Sequence, residues 1–242
     1  MFNYHHSILT FFILLLFVFM NGCASVPRSI NMDCDSLKLT SITKPDKQFD
    51  LVNYSVRLPK DSKKWCIASS NIGSLVLFSH PLMGKFIEKP SPNFALNTIG
   101  MIAMEVRHGA EPFENTIELK TFVENWIHQG FGIEGEIDDL VIMQNKTERF
   151  SLLKSEVKAQ VSPSEVCVNY DYVMRETDNP RSPNQALIVE DIGLVCQHEN
   201  LSSHLVVLSL SERYPEGYRI DPNLFSKLKE NVAPDFFGSL NF

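Results

Sequence analysis

The chain has 242 residues, 22 Lys and Arg against 29 Asp and Glu, a formal charge of −7 and 44% apolar residues. This acidic balance excludes nucleic acid and anionic lipid headgroups as the main partner surface, and the apolar fraction is that of a globular chain with its own core. No Asp, Glu, Lys or Arg occurs before Cys23, so the whole formal charge belongs to residues 23–242.

Ile8 to Met20 is a thirteen-residue run, apolar except for Thr10. It has the length of a signal-peptide core and falls short of the roughly 20 residues a spanning helix needs. The tetrapeptide Met20-Asn21-Gly22-Cys23 resembles the lipobox of bacterial lipoproteins: Gly22 and Cys23 match, while Met20 and Asn21 stand where Leu and Ala or Ser are commoner. The resemblance implies a signal peptide over residues 1–22, cleavage before Cys23, lipid attachment at Cys23 and a membrane as partner through that lipid. Ala24, in place of Asp, implies routing to the outer membrane of a Gram-negative envelope. Several acyl chains hold a protein firmly where one holds it marginally, at about 0.8 kcal/mol per buried methylene. The alternative is an ordinary secretory signal cut after Ala24.

Residues 23–48 mix Ser, Pro, Asp, Lys and Thr without sustained periodicity, and read as a tether with at most one short ordered piece around Cys34. Strict alternation begins at Tyr54, with Tyr54, Val56 and Leu58 on one side and Asn53, Ser55 and Arg57 on the other, the signature of a half-buried strand stopped by Pro59. Further strands are predicted at Trp65–Ala68, Leu75–Phe78 and Ile99–Arg107. Between Asn115 and Gly130 the period becomes helical, with Leu119, Phe122, Val123, Trp126 and Ile127 on one face. Asn115 and Glu118 read as a capping box and Gly130 as a C-terminal cap.

After a run at Leu140–Gln144, four strands are predicted at 152–161, 166–175, 187–197 and 204–212. Ser162-Pro163-Ser164-Glu165, the loop from Asp178 to Asn184 and Glu199-Asn200-Leu201-Ser202 connect them as turns of an antiparallel meander. Asp221 is the predicted N-cap of a final helix with Pro222 in its first turn, Leu224, Phe225, Leu228 and Val232 on one side, and Pro234 as its stop. The fold class is therefore α+β: an antiparallel sheet with a C-terminal meander, one long amphipathic helix and a closing helix packed on it, as a single domain over 49–242.

The order of elements, with Tyr54-Ser55-Val56-Arg57-Leu58-Pro59 near the start and Phe225, Leu228 and Phe237-Gly238-Ser239-Leu240 near the end, resembles the PsbP/Mog1 type of α-β-α sandwich over about Phe49 to Phe242. That resemblance implies a non-catalytic binding or assembly domain.

Cys34, Cys66, Cys167 and Cys196 remain under either model of the leader. An even number in an exported chain points to two disulfides with three possible connectivities. A hairpin centred on the loop 176–185 sets Cys167 about opposite Cys196, and Cys34–Cys66 follows by elimination. The alternative leaves some as free buried thiols.

No catalytic residue, metal site or cofactor is assigned. Gly130-Phe131-Gly132-Ile133-Glu134-Gly135 has the letters of G-x-G-x-x-G but follows a helix where a dinucleotide site must open one, and it reads as a glycine-rich turn. Glu134, Glu136, Asp138 and Asp139 alternate as in calcium loops, yet an EF-hand counted from Glu134 needs Gly and Glu where Asp139 and Asn145 stand. Lys60, Lys63 and Lys64 form a solvated turn. Glu105 and His108 fall on opposite faces of one strand, whereas Cys196 and His198 share a face. The expected function is a non-catalytic envelope module with an unknown protein or small-molecule partner and no nucleic acid. The alternative is an envelope hydrolase assembled from dispersed residues such as His80, His108 or His198.

Overall fold

The computed structural model describes residues 34, 40–41, 47–58, 65–72, 75–80, 97–108, 111–128, 149–160, 166–179 and 184–242. The strands are β1 (Thr40–Ser41), β2 (Gln48–Asp50), β3 (Ser55–Arg57), β4 (Cys66–Ile72), β5 (Leu75–His80), β6 (Thr98–Arg107), β7 (Phe150–Ala159), β8 (Cys167–Glu176), β9 (Leu187–Gln197) and β10 (His204–Pro215). The helices are α1 (Thr116–His128), α2 (Leu224–Asn231) and α3 (Ala233–Phe237).

Eight strands form one antiparallel sheet in the order β1-β4-β5-β6-β10-β9-β8-β7, and β2 pairs with β3 alone. The predicted meander is β7 to β10, each strand hydrogen-bonded to the next. What local pattern could not give is the neighbour of β10 on its other side. That neighbour is β6, aligned from His204 opposite Arg107 to Arg213 opposite Thr98. β10 is thus interior, and its alternating side chains divide between two cores. Val206, Leu208 and Leu210 join Val56, Leu58, Trp65, Met101, Leu194, Phe225 and Phe236 on one face. Leu205 and Val207 join Val157, Val168, Val195 and the buried side of α1 on the other. The chain is α+β, with helices on both faces of an antiparallel sheet.

On α1 the Asn115 Oδ1 accepts from the backbone N–H groups of Ile117 and Glu118 at 2.9 and 3.1 Å, while the Glu118 carboxylate accepts from Glu114 N and Asn115 Nδ2. The box closes, though Glu118 reaches the residue before the cap. Leu119, Val123, Trp126 and Ile127 are the buried face.

The final helix departs from expectation at both ends. Asp221 is not its N-cap: Asp221 accepts from Asn223 N and Leu224 N in a preceding turn that contains Pro222, and Asn223 occupies the cap position. Pro234 does not simply stop the chain either. Lacking an N–H, it keeps α2 from continuing past its Val232 cap, and its fixed φ suits the first turn of α3, of which it is the second residue.

The stretch expected as a tether is partly built into the fold. Thr40 and Ser41 pair with Ile67 and Cys66, and the buried Cys34 is bonded to Cys66. Cys167 and Cys196 stand opposite each other in register and form a second disulfide. At the other terminus, Ser55 and Asn241 exchange two backbone hydrogen bonds of 2.7 and 3.0 Å, so the β2–β3 hairpin clasps the C-terminal segment against the α2–α3 layer. The leader with Cys23, the lysines of 60–64, the run at 140–144, the glycine-rich turn at 130–135 and the acidic loop at 134–139 lie outside the described residues.

Replacing Cys34 and Cys66 by Ser together opens a crosslink spanning 32 residues. We expect a loss of about 3–4 kcal/mol in chemical denaturation compared with the oxidised wild type. Gly193 stands opposite Tyr170, and a Cβ there meets the tyrosine ring at 2.3 to 2.4 Å. Gly193→Ala should therefore cost about 1–3 kcal/mol, and a double-mutant cycle with Tyr170→Leu should show the two positions to be coupled.

Candidate functional site

Among the described residues, the polar side chains buried within the sheet form three groups. On the α1 face, Asp191 of β9 lies between β8 and β10. Ser209 Oγ is 2.9 Å from both carboxylate oxygens, and the hydroxyls of Tyr170 and Tyr172 also bond to Asp191. Tyr170 reaches across because Gly193 leaves room for its ring, and the two tyrosines stack at 5.7 Å. Asp191 is 8% exposed. Burial raises its carboxyl from 3.8 to about 7, with the three hydroxyl bonds opposing the shift. Chemically this is a buried proton-holding carboxylate pinned across three strands.

The second group, on the same face, centres on Glu176, which is 1% exposed and bonded by Arg149, Arg213 and Asn179. It ties the ends of β7, β8 and β10. The third lies on the α2–α3 face. There Arg219 binds Glu212 and, at 3.2 Å, Glu190; Tyr214 donates to Glu190 at 2.6 Å, and the guanidinium lies over the Tyr214 ring at 4.4 Å. Burial raises the Glu212 carboxyl, against the pull of Arg219. Arg219 holds the β10–α2 connection onto the sheet.

The histidines named from sequence are placed apart. His198 Nδ1 accepts from the N–H groups of Asn200 and Leu201 at 3.0 and 3.1 Å, which leaves Nε2–H to donate to the Asn53 carbonyl at 2.8 Å. Both ring nitrogens therefore hold backbone, and the ring meets Phe242 edge-on. Cys196 shares that face, but its sulfur is in the disulfide and offers no thiolate. His108 bonds Ser202 O at 3.3 Å and stacks on Phe113 at 4.9 Å; desolvation lowers its pKa. His80 ends β5 opposite Ile99. Glu105 meets neither of these: Asn53 Nδ2 donates to it at 2.8 and 2.9 Å, and His204 Nε2 is 3.7 Å away. Among the described residues no group of three or more His, Cys, Asp or Glu could hold a metal ion, and no helix is long and apolar enough to cross a membrane.

Sequence reasoning missed the Asp191 group. The only signal was the acid pair Glu190-Asp191 within a largely apolar strand, and Asp191 acquires meaning when the register brings Tyr170, Tyr172 and Ser209 around it.

Because the folded chain keeps a proton on Asp191 between pH about 4 and 7 that the unfolded chain has released, this group stabilises the fold at low pH, and the contribution is lost as pH rises through 7. Asp191→Asn should remove that dependence. Against the variant, the wild type should lose on the order of 1.4 kcal/mol per pH unit across this window, as measured by denaturant midpoints from pH 4 to 8.

No protein-family model matches the chain, and no curated protein does. Solved structures similar to it include two of Mog1. A mutant of the protein Mog1 is 10% identical, with 82% of this chain and 96% of that chain covered and a TM-score of 0.38. The Saccharomyces cerevisiae Ran-binding protein Mog1p is also 10% identical, with 81% and 94% covered and a TM-score of 0.39.

Proposed function

We propose that this chain is an envelope lipoprotein, attached to the outer membrane through Cys23, whose α+β domain binds a partner protein without catalysis. The observation that carries the reading is the pair of disulfides. All four cysteines that follow Cys23 are oxidised in pairs, the usage of a chain that works outside a reducing cytosol. The apolar run at residues 8–20 supplies the export signal, and Gly22-Cys23 the attachment point.

Binding is favoured over hydrolysis by the way the histidines are engaged. His198 has both ring nitrogens committed to backbone; His108 bonds a carbonyl through Nε2 while stacked on Phe113, and its buried Nδ1 has no hydrogen-bonding group, and so no nucleophile, within reach among the described residues. A general base needs a ring nitrogen free to take a proton from a nucleophile within hydrogen-bond reach. The buried ion pairs at Glu176 and Arg219 likewise bind elements of the fold to each other.

Intact mass of the mature protein from its native membrane, before and after reduction, tests the anchor and the disulfides together. The expected mass is that of a chain starting at Cys23 plus diacylglycerol, rising on reduction by the hydrogens of two disulfides. Cys23→Ser should keep its leader and carry no lipid. A soluble, unacylated wild-type chain overturns the reading.

A further inference from the structure

β7 ends the sheet: its ten residues pair with β8 on one side, and the outer backbone groups have no partner among the described residues. A long edge of this kind is a template for another strand. The bulge between Leu152 and Lys154 disrupts its first half and leaves Lys154–Ala159 in regular register with β8. Along that stretch Ser155 and Val157 face α1, while Lys154, Glu156 and Lys158 face the other way, with Lys158 Nζ 2.9 Å from Glu156 Oε1.

We propose that a second copy of this chain docks on β7, the two β7 strands pairing antiparallel about a two-fold axis at Val157. In this register Glu156 of each copy lies opposite Lys158 of the other, so the four charges alternate. An axis one residue either way sets Glu156 against Glu156 or Lys158 against Lys158, and an axis at Ser155 brings the bulge into the pairing; opposed like charges destabilise such pairs.

The helix layer is compatible with the same edge-to-edge pairing. α1 lies over β7 and β8. Phe122 contacts Phe113 and His108, which bonds Ser202 in the β9–β10 turn, so Phe122 is turned toward the middle of the sheet. By helical periodicity Lys120 and Glu124 lie on the opposite side, toward the β7 edge. They form an ion pair at 3.4 Å, and beside them Ile117 is 72% exposed. Strands in a sheet are about 4.8 Å apart, so helices seated over the β7–β8 pairs of two copies come about 10 Å apart, the separation at which helices pack. The two-fold axis runs them antiparallel, which sets the Lys120–Glu124 order of one against the reverse order of the other and covers both Ile117 side chains.

Sedimentation of the full chain in density-matched detergent tests the proposal. The wild type should sediment with twice the mass of one mature chain. Lys158→Glu should be monomeric at the same concentration, and the swap Glu156→Lys with Lys158→Glu should restore the dimer, because opposite charges then face each other again. Circular dichroism and thermal melts of each variant check that these exposed substitutions leave the fold intact. A wild type that stays monomeric at the highest concentration reached, a Lys158→Glu variant that still dimerises as well as wild type, or a folded charge swap that stays monomeric overturns the proposal.

Discussion

Burial of both faces of β10 is the constraint on which the other elements depend. A strand whose side chains alternate between two apolar layers needs a cover on each side. Here α1 supplies one, while α2, α3 and the β2–β3 hairpin supply the other. The same requirement explains why β9 and β10 read as nearly continuous apolar runs, whereas the edge strand β7 alternates polar and apolar residues. It also explains the clasp between Ser55 and Asn241, which holds the beginning and end of the covering layer together.

A sheet buried on both sides tolerates acids only where each is bonded. Asp191, Glu176 and Glu212 meet this condition in different ways. Asp191 is surrounded by hydroxyls and keeps a proton to about pH 7. Glu176 is bracketed by two arginines and Asn179, and Glu212 by Arg219. Removing one member of a buried ion pair typically costs about 3–5 kcal/mol, because the remaining charge is stranded. These groups are fasteners between strands. The two disulfides act at the periphery in the same sense. One joins β8 to β9, and the other ties the N-terminal segment to β4 at the side of the sheet remote from β7.

Much of the fold was legible in the sequence. The meander from β7 to β10 could be read because its signals are local: alternation within each strand and Pro, Asn, Asp or Ser in each turn. The apolar face and cap of α1 were legible for the same reason. Other features were not. The edge strand β1 sits in a stretch without periodicity, and Pro234 reads as a stop although it also lies in the first turn of a helix. Asp191 in a strand reads as a solvent-facing acid until Tyr170, Tyr172 and Ser209 surround it, and His198 shows nothing in sequence of the two N–H groups and the carbonyl that fix its tautomer.

The sequence by itself determined the α+β class, the order and type of the main elements and the acidic net charge, since each follows from composition or from neighbours a few residues apart. Only the tertiary structure decided that β6 lies beside β10, that Glu105 meets Asn53 and His204, and that the acids of the sheet are fastened internally. Those outcomes depend on pairing between residues far apart in the chain, which is set by the collective burial of two apolar faces and leaves no local mark.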